Sequence, residues 1–209
     1  MNVLPPPQQL LWAELSQVPP YFALYGGTAL ALRLGHRQSV DFDLFGFCDI
    51  TQSQLVASIP FLSNCETTQQ AANTMSVLVD RGGPVSVSFF GLPRLFALEE
   101  PDRAPDNGLN IASLLDLAAT KMSVVQVRAE AKDYLDIHAL IMLAGIDLPV
   151  ALGAACALYG KLFNPQVTLK ALSYFDDGDV RLLSTDVKSQ LAGAARAVDL
   201  NHLPTIEPK

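Results

Sequence analysis

The chain has 209 residues, of which 50% are hydrophobic, and this is enough apolar material for the core of one domain or of two small ones. Its formal net charge of −7 at pH 7 argues against an extended basic groove for nucleic acid, although a local basic patch stays compatible with it. The 3 cysteines follow neither a disulfide nor a zinc-site spacing, which favours a reducing, cytoplasmic location.

The N-terminal region shows no signal-peptide pattern, because no basic stretch precedes an apolar core. Residues 8–17 have the spacing of an amphipathic helix that ends before Pro19 and Pro20. The apolar stretch 137–159 is interrupted by charged and proline residues. It therefore predicts two packed helices rather than a membrane span.

A strand, a glycine turn and a helix are predicted between residues 21 and 35. The aromatic and apolar residues 21–25 suit a buried strand, and Gly26 and Gly27 follow at once. Thr28 is a candidate N-cap for a helix that ends at Gly35. Because backbone N–H groups at such a turn attract anions, residues 26–28 form a candidate phosphate site.

The next predicted strand, residues 40–45, carries two carboxylates. Side chains alternate along a strand, so Val40, Phe42 and Leu44 are expected to pack into a core. Asp41 and Asp43 then share the other face, with Cα atoms ~6.5 Å apart. Two carboxylates this close repel unless a cation lies between them, and their hard oxygens suit Mg²⁺ or Mn²⁺. The alternative is an edge strand with a solvated acidic face.

Residues 74–80 and 85–90 predict a hairpin around the Arg-Gly-Gly-Pro turn. The second strand carries Ser86 and Ser88. Catalysis by two metal ions usually requires three carboxylates. Ser86 and Ser88 do not supply a third carboxylate, and this counts against a metal-dependent activity.

Residues 110–130 predict one long helix. The spacing of Lys121, Arg128 and Lys132 would place these three cations along one helical face. This pattern is ordinarily a solvated basic stripe. Lys121, however, lies within an apolar stretch and is expected to have an anionic partner. The sequence offers Asp41 and Asp43, or phosphates bound by them. Further helices are predicted at 135–144, 149–159, 165–175 and 179–197.

Two motifs carry a family resemblance. The Gly26-Gly27 pair, thirteen intervening residues and the D-h-D-h run resemble the nucleotidyltransferase signature of the DNA polymerase β superfamily. The fuller GGTAL, then R-x-S-x-D-x-D-h-F, is similar to the AbiEii/AbiGii toxin-type nucleotidyltransferases. A second motif of that family, D-L-A-x-x-K followed by R-x-x-x-K-D-Y-x-D-I, occupies Asp116, Lys121, Arg128, Lys132, Asp133, Tyr134 and Asp136.

The resemblance implies roles for individual residues. The implied catalytic residues are Asp41, Asp43, Lys121 and Asp133, with Asp41 and Asp43 as ligands of Mg²⁺ or Mn²⁺. The implied nucleotide-binding residues are Gly26, Gly27, Thr28, Arg37, Ser39, Arg128 and Lys132. For Asp133 a structural alternative stays open, namely a helix N-cap with Asp136 three residues later.

The expected fold is α/β: a polymerase β-like nucleotidyltransferase domain with a mixed sheet over residues 1–108, then a mostly helical domain over 109–209. The expected function is metal-dependent transfer of a nucleoside monophosphate from an NTP, such as ATP or GTP, to RNA, with tRNA as one candidate. By resemblance the protein is the toxin of a toxin–antitoxin or phage-defence pair, with an antitoxin protein as partner. The alternatives are AMPylation of a protein and a catalytically silent binding module.

Overall fold

The computed structural model describes residues 3–207. Contacts between residues divide these into two compact units. The first comprises residues up to 96 together with 100–112, and the second comprises 97–99 together with residues from 113 onward. The predicted domain boundary after residue 108 stays a prediction.

The first unit is built on a seven-stranded mixed sheet with the strand order β3-β4-β5-β2-β1-β7-β6. Strands β2 and β5 are parallel, as are β1 and β7, and the other neighbours are antiparallel. The strands are β1 Phe22–Tyr25, β2 Asp41–Gly46, β3 Glu66–Ala71, β4 Thr74–Asp80, β5 Pro84–Gly91, β6 Asp102–Arg103 and β7 Asn110–Ile111. This confirms the predicted α/β class and the hairpin of β4 and β5.

Three helices belong to the same unit: α1 Pro6–Glu14, α2 Gly26–Leu34 and α3 Gln52–Ser58. Helix α1 buries Leu11, and its Trp12 ring stacks on Phe42 of β2 with centroids 6.1 Å apart. Helix α2 ends at Gly35, whose backbone is left-handed, as predicted. It begins at Gly26, earlier than expected, so Thr28 is not its N-cap. The core of the unit lies on the sheet face that carries Phe42.

The second unit is helical. Its helices are α4 Leu114–Val124, α5 Ala131–Met142, α6 Leu148–Tyr159, α7 Pro165–Ala171 and α8 Thr185–Ala197. Helix α4 packs on α6, in which the small residues Ala154 and Ala155 are buried, while Gly153 of α6 lies against the Pro204 carbonyl. No helix in residues 3–207 is long and apolar enough to cross a membrane. The stretch 137–159 forms parts of two helices, as predicted.

Several sequence expectations about secondary structure were wrong, including the bounds of the helices predicted at 165–175 and 179–197. The long helix over 110–130 does not form, because Asn110 and Ile111 pair with β1, and Ser113 then caps α4 by accepting a hydrogen bond from the Asp116 N–H. Helix α4 ends at Val124, so Lys121, Arg128 and Lys132 do not lie along one helical face. Val40 precedes β2 and is 49% exposed instead of packed into the core.

Candidate active site

The two carboxylates of β2 lie on the sheet face opposite to the core. Phe42 and Leu44 are fully buried, whereas Asp41 is exposed and Asp43 is half-buried. This alternation places Asp41 and Asp43 on one face, as the period of two predicts. In the sheet, Asp43 stands opposite Tyr25 of β1, and it is also level with Ser88 of β5.

Gly26 brings the start of α2 against the Asp43 carboxylate. Its φ of 70° is left-handed, a conformation that glycine adopts without strain. A Cβ atom at this position would clash with Asp43 Oδ2. The first N–H groups of a helix lack partners within that helix, so Gly26 and Gly27 offer donors to an anion. The structure thus joins the glycine turn to one of the two predicted carboxylates.

Thr28 and Ser39 form a buried polar contact that holds β2 against α2. The Thr28 hydroxyl hydrogen-bonds to the backbone carbonyl of Asp41 and lies 2.8 Å from Ser39 Oγ. The Thr28 hydroxyl has one proton, which it shares between two acceptors, the Asp41 carbonyl and Ser39 Oγ. Both side chains thereby position the strand that carries the carboxylates. Because the Thr28 hydroxyl is used within the protein, the part of Thr28 that stays a candidate for phosphate binding is its backbone N–H.

The segment before β2 is fixed by residues that the sequence did not single out. Gln8, a buried polar residue of α1, donates from Nε2 to the Val40 carbonyl over 3.1 Å. The Ser39 N–H donates to the Val3 carbonyl, also over 3.1 Å. The sequence feature that could have indicated this contact is the presence of a glutamine, Gln8, among the apolar residues of α1. Arg37, by contrast, is half-buried and donates from Nη1 to the Gln38 carbonyl over 2.8 Å.

Hydroxyl groups occupy the neighbouring strand where a third carboxylate would stand. Ser86 is level with Asp41 and Ser88 with Asp43, and the Ser88 hydroxyl lies 2.9 Å from that of Ser76 on β4. Within residues 3–207 no three His, Cys, Asp or Glu side chains are grouped so as to hold a metal ion. Mg²⁺ is commonly held by one or two carboxylates, with substrate phosphates and water as its other ligands. Asp41 and Asp43 fit that donor set.

In the second unit, Lys121 is buried among acidic side chains of α5. Its Nζ atom lies 2.7 Å from Asp133 Oδ1 and 2.6 Å from Asp136 Oδ2. The anionic partner expected for Lys121 is therefore provided by α5, and the sequence argument for Asp41 and Asp43 named the wrong carboxylates. Whether Lys121 also serves the Asp41–Asp43 site stays a prediction.

Asp133 is fully buried between two cations. Arg128 donates to it from Nε over 2.7 Å and from Nη2 over 3.2 Å. Burial raises the pKa of Asp133, but the hydrogen bond from Arg128 and the charge of Lys121 outweigh burial and lower that pKa overall. The N-cap of α5 is Glu130, so the N-cap alternative for Asp133 was wrong. Lys132 pairs with Glu130 over 2.9 Å.

Asp116 of the second motif has a structural role, because its carboxylate binds backbone groups of a neighbouring segment. Its carboxylate accepts hydrogen bonds from the backbone N–H groups of Leu98 and Glu99, over 2.9 and 3.1 Å, and from the Ser113 hydroxyl. It thereby holds residues 97–99 to the start of α4. Burial, with a smaller effect from the charge of Asp116, raises the pKa of Tyr159 to about 12.

Known proteins with similar sequences match nearly the whole chain. The family described as nucleotidyl transferase AbiEii toxin, type IV toxin–antitoxin system, matches residues 9–203. An uncharacterized protein of Aquifex aeolicus (strain VF5) is 33% identical over 158 residues, which are 75% of this chain and 74% of the relative.

Two solved structures share the fold. MenT4, a nucleotidyltransferase toxin of Mycobacterium tuberculosis H37Rv, superposes with a TM-score of 0.64 at 15% identity, over 93% of this chain and 83% of that chain. A proposed nucleotidyltransferase from H. pylori gives a TM-score of 0.58 at 18% identity, over 90% and 91% of the two chains. Because the family match runs through both units, this protein belongs to the AbiEii family of nucleotidyl transferase toxins.

Proposed function

We propose that this protein transfers a nucleoside monophosphate from an NTP, such as ATP or GTP, to a hydroxyl group of RNA, with tRNA as the first candidate. It acts as a toxin in the cytoplasm and is opposed by an antitoxin protein. The observation that carries the proposal is the approach of the Asp43 carboxylate to Gly26 at the start of α2. It places a cation-binding group beside N–H donors suited to phosphate.

The proposed reaction is a displacement at the α-phosphorus. The acceptor oxygen forms a bond to this atom, the bond to the bridging oxygen breaks, and pyrophosphate leaves with the electron pair. The acceptor hydroxyl proton passes to solvent. Gly26, Gly27 and the Thr28 N–H bind triphosphate oxygens, while Thr28 and Ser39 fix the strand on which Asp41 and Asp43 lie.

A divalent cation held by Asp41 and Asp43 would offset the negative charge of the phosphates. Either Mg²⁺ or Mn²⁺ is compatible with carboxylate oxygens. The two aspartates of β2 hold their places through the backbone pairing with β1 and β5. Ser86 and Ser88 add hydroxyl groups on the same face, which can donate to phosphate oxygens or to water.

Lys121 is proposed to donate to a phosphate oxygen of the substrate. An ammonium group has three N–H donors, and Asp133 and Asp136 lie within bonding distance of two of them. The third is left for a ligand. Asp133 acts through Lys121 and Arg128, whose positions it fixes. Arg128 and Lys132 are exposed cations and Arg37 is a half-buried one, and all three contribute attraction for the triphosphate.

A second candidate acceptor is a protein hydroxyl, as in AMPylation. The formal charge of −7 favours it, because an acidic surface repels RNA. The absence of a carboxylate at Ser86 and Ser88 favours a third candidate, a binding module without transfer activity. The three candidates differ in where the transferred nucleotide is found.

The test is incubation of the purified protein with each α-³²P-labelled NTP, Mg²⁺ and total cell RNA. Label on RNA is the expected result, and sequencing of the labelled species identifies the acceptor. Label on protein alone supports AMPylation, and label on neither overturns nucleotidyl transfer. The variant with Asp41→Asn and Asp43→Asn is the control and is expected to transfer no label.

A further inference from the structure

A cavity of about 400 Å³ lies entirely within the second unit, between residues 125–129 and helix α7. We call it the α7 pocket and define it by Arg128, Tyr134, Lys170, Tyr174 and Asp177. Small-molecule sites span about 300–1,000 Å³, so this pocket is of a size for one compact ligand. Of these five residues, only Arg128 was assigned a role in the sections above.

The walls of the α7 pocket are apolar and aromatic. Tyr134 is buried, and its hydroxyl donates to the Ala171 carbonyl over 3.3 Å, which fixes the ring. Tyr174 is 53% exposed, and neighbouring Val127 is 83% exposed. A half-exposed tyrosine on the wall of a cavity offers a flat surface on which a heteroaromatic ring can stack.

Two charged side chains of opposite sign also line the α7 pocket. Within residues 3–207, the side chains of Lys170 and Asp177 have neither a hydrogen bond nor an ion pair. Both side chains are exposed and are therefore accessible to a ligand. A ligand that complements them needs an anionic group for Lys170 and hydrogen-bond donors for Asp177.

We propose that the α7 pocket binds a single nucleoside 5′-monophosphate unit. The base stacks on Tyr174, the phosphate meets Lys170, and ribose hydroxyls or an exocyclic amine donate to Asp177. The unit is either a free nucleotide or one nucleotide of an RNA strand, since both present the same groups. The choice of a nucleotide over other aromatic anions rests on the proposed nucleotidyl transfer, whereas binding itself requires no transfer.

Arg128 connects the α7 pocket to the buried ion pairs. Its guanidinium lines the cavity and also bonds to Asp133, which in turn contacts Lys121. A ligand that fills the pocket is therefore expected to contact the residue that bonds to Asp133. Occupancy of the pocket is expected to stabilise the arrangement of Lys121.

The experiment is calorimetric titration of the full-length protein with each of the four ribonucleoside 5′-monophosphates. It is done in the background of Asp41→Asn with Asp43→Asn, so that a nucleotide at those carboxylates does not contribute. Saturable binding of at least one monophosphate is expected. A tetraribonucleotide that binds more tightly identifies RNA as the source, and a monophosphate that binds more tightly identifies a free nucleotide.

Tyr174→Leu is expected to weaken binding roughly tenfold, because stacking on an aromatic ring is lost. The matched control is Tyr21→Leu, since Tyr21 is 50% exposed and does not line the pocket. Lys170→Gln is expected to weaken the monophosphate roughly tenfold but not the corresponding nucleoside, which has no phosphate. Lys161→Gln, at an exposed lysine outside the pocket, is the control for charge.

Two results would overturn the proposal. One is a lack of binding by all four monophosphates and by the tetraribonucleotide, and the other is an unchanged affinity in folded Tyr174→Leu. Monophosphate binding without label transfer to RNA or protein would refute the proposed function and leave the α7 pocket assignment standing. Melting temperatures of each variant establish that folding is intact.

Discussion

The ammonium of Lys121 lies 2.6 Å from Asp136 Oδ2, and both side chains are almost completely buried. Asp133 contributes a second carboxylate to Lys121 and shares it with Arg128. The two cations and two anions balance. Since a buried charge without a partner is costly, the three buried side chains, Lys121, Asp133 and Asp136, depend on one another, whereas Arg128 is half-exposed.

Lys121→Met is expected to lower the free energy of unfolding by ~3–5 kcal/mol, because it removes the ammonium group that two buried aspartates contact. Urea denaturation at pH 7 measures the change. Lys161→Met, at an exposed lysine of the same unit, is the control and should change stability little. A loss below ~1 kcal/mol for Lys121→Met would show that these ion pairs are not formed in solution.

Acid is expected to destabilise the protein through Asp133, whose pKa is lowered in the folded state. The unfolded carboxyl has a pKa of about 3.9, so near and below that pH the unfolded chain binds more protons than the folded one. Stability from this group is complete above that pKa and is lost as the pH falls through the folded value.

Melting temperatures between pH 7 and pH 3 measure this loss. Arg128→Gln is expected to melt lower at pH 7 and to lose less on acidification, because Arg128 is the chief cause of the lowered pKa of Asp133. Arg181→Gln, at an exposed arginine, should follow the original protein. Equal acid slopes for Arg128→Gln and the original protein would contradict the assignment.

Substitutions at two glycines can separate the effect of the contact with Asp43 from the effect of backbone strain. Gly26 and Gly35 have similar φ values of 70° and 63°, but only at Gly26 would a Cβ meet another atom within 4 Å. Gly35→Ala is expected to cost ~1–2 kcal/mol from its left-handed backbone alone. Gly26→Ala should cost ~1–3 kcal/mol more, through its clash with Asp43.

Denaturation and label transfer are the measurements for these two variants. Gly35→Ala should retain transfer by its folded fraction, whereas Gly26→Ala should lose it because the carboxylate is displaced. Equal effects of the two substitutions on stability and transfer would mean that the approach of Asp43 to Gly26 is not important.

NTP with Mg²⁺ should raise the melting temperature, because a ligand that binds only the folded protein stabilises it. Asp41→Asn with Asp43→Asn is expected to abolish this shift and to leave the ligand-free protein as stable or more so, since repulsion is relieved. Asp176→Asn with Asp186→Asn removes the same charge from exposed positions and should preserve the shift. A full shift in the first double variant would place the metal elsewhere.

The sequence predicted those parts of the site that depend on neighbouring residues. Asp41 and Asp43 share a face because the side chains of a strand alternate. Gly26 directly follows a short buried strand. The partners of Lys121 were missed for a different reason. Neither glycine nor proline marks the break after Val124, so one helix seemed to continue where three valines lower helix propensity.

Other elements lacked a readable pattern. Strand β3 is polar and exposed throughout, so it shows no alternation of apolar residues. Strand β7 has two residues and forms because β1 offers it an edge, which only the folded sheet reveals. The α7 pocket joins segments that are distant in sequence, and no spacing rule brings Arg128 and Tyr174 together.

The pairing of β1 with β7 has a consequence for synthesis on the ribosome. All four residues of β1 are buried, and its partners Asn110 and Ile111 are made long after it. Until they emerge, β1 has only β2 beside it and exposes an apolar edge that can join another chain. A nascent chain that lacks residues 110 and 111 is therefore expected to aggregate more readily than one that includes them.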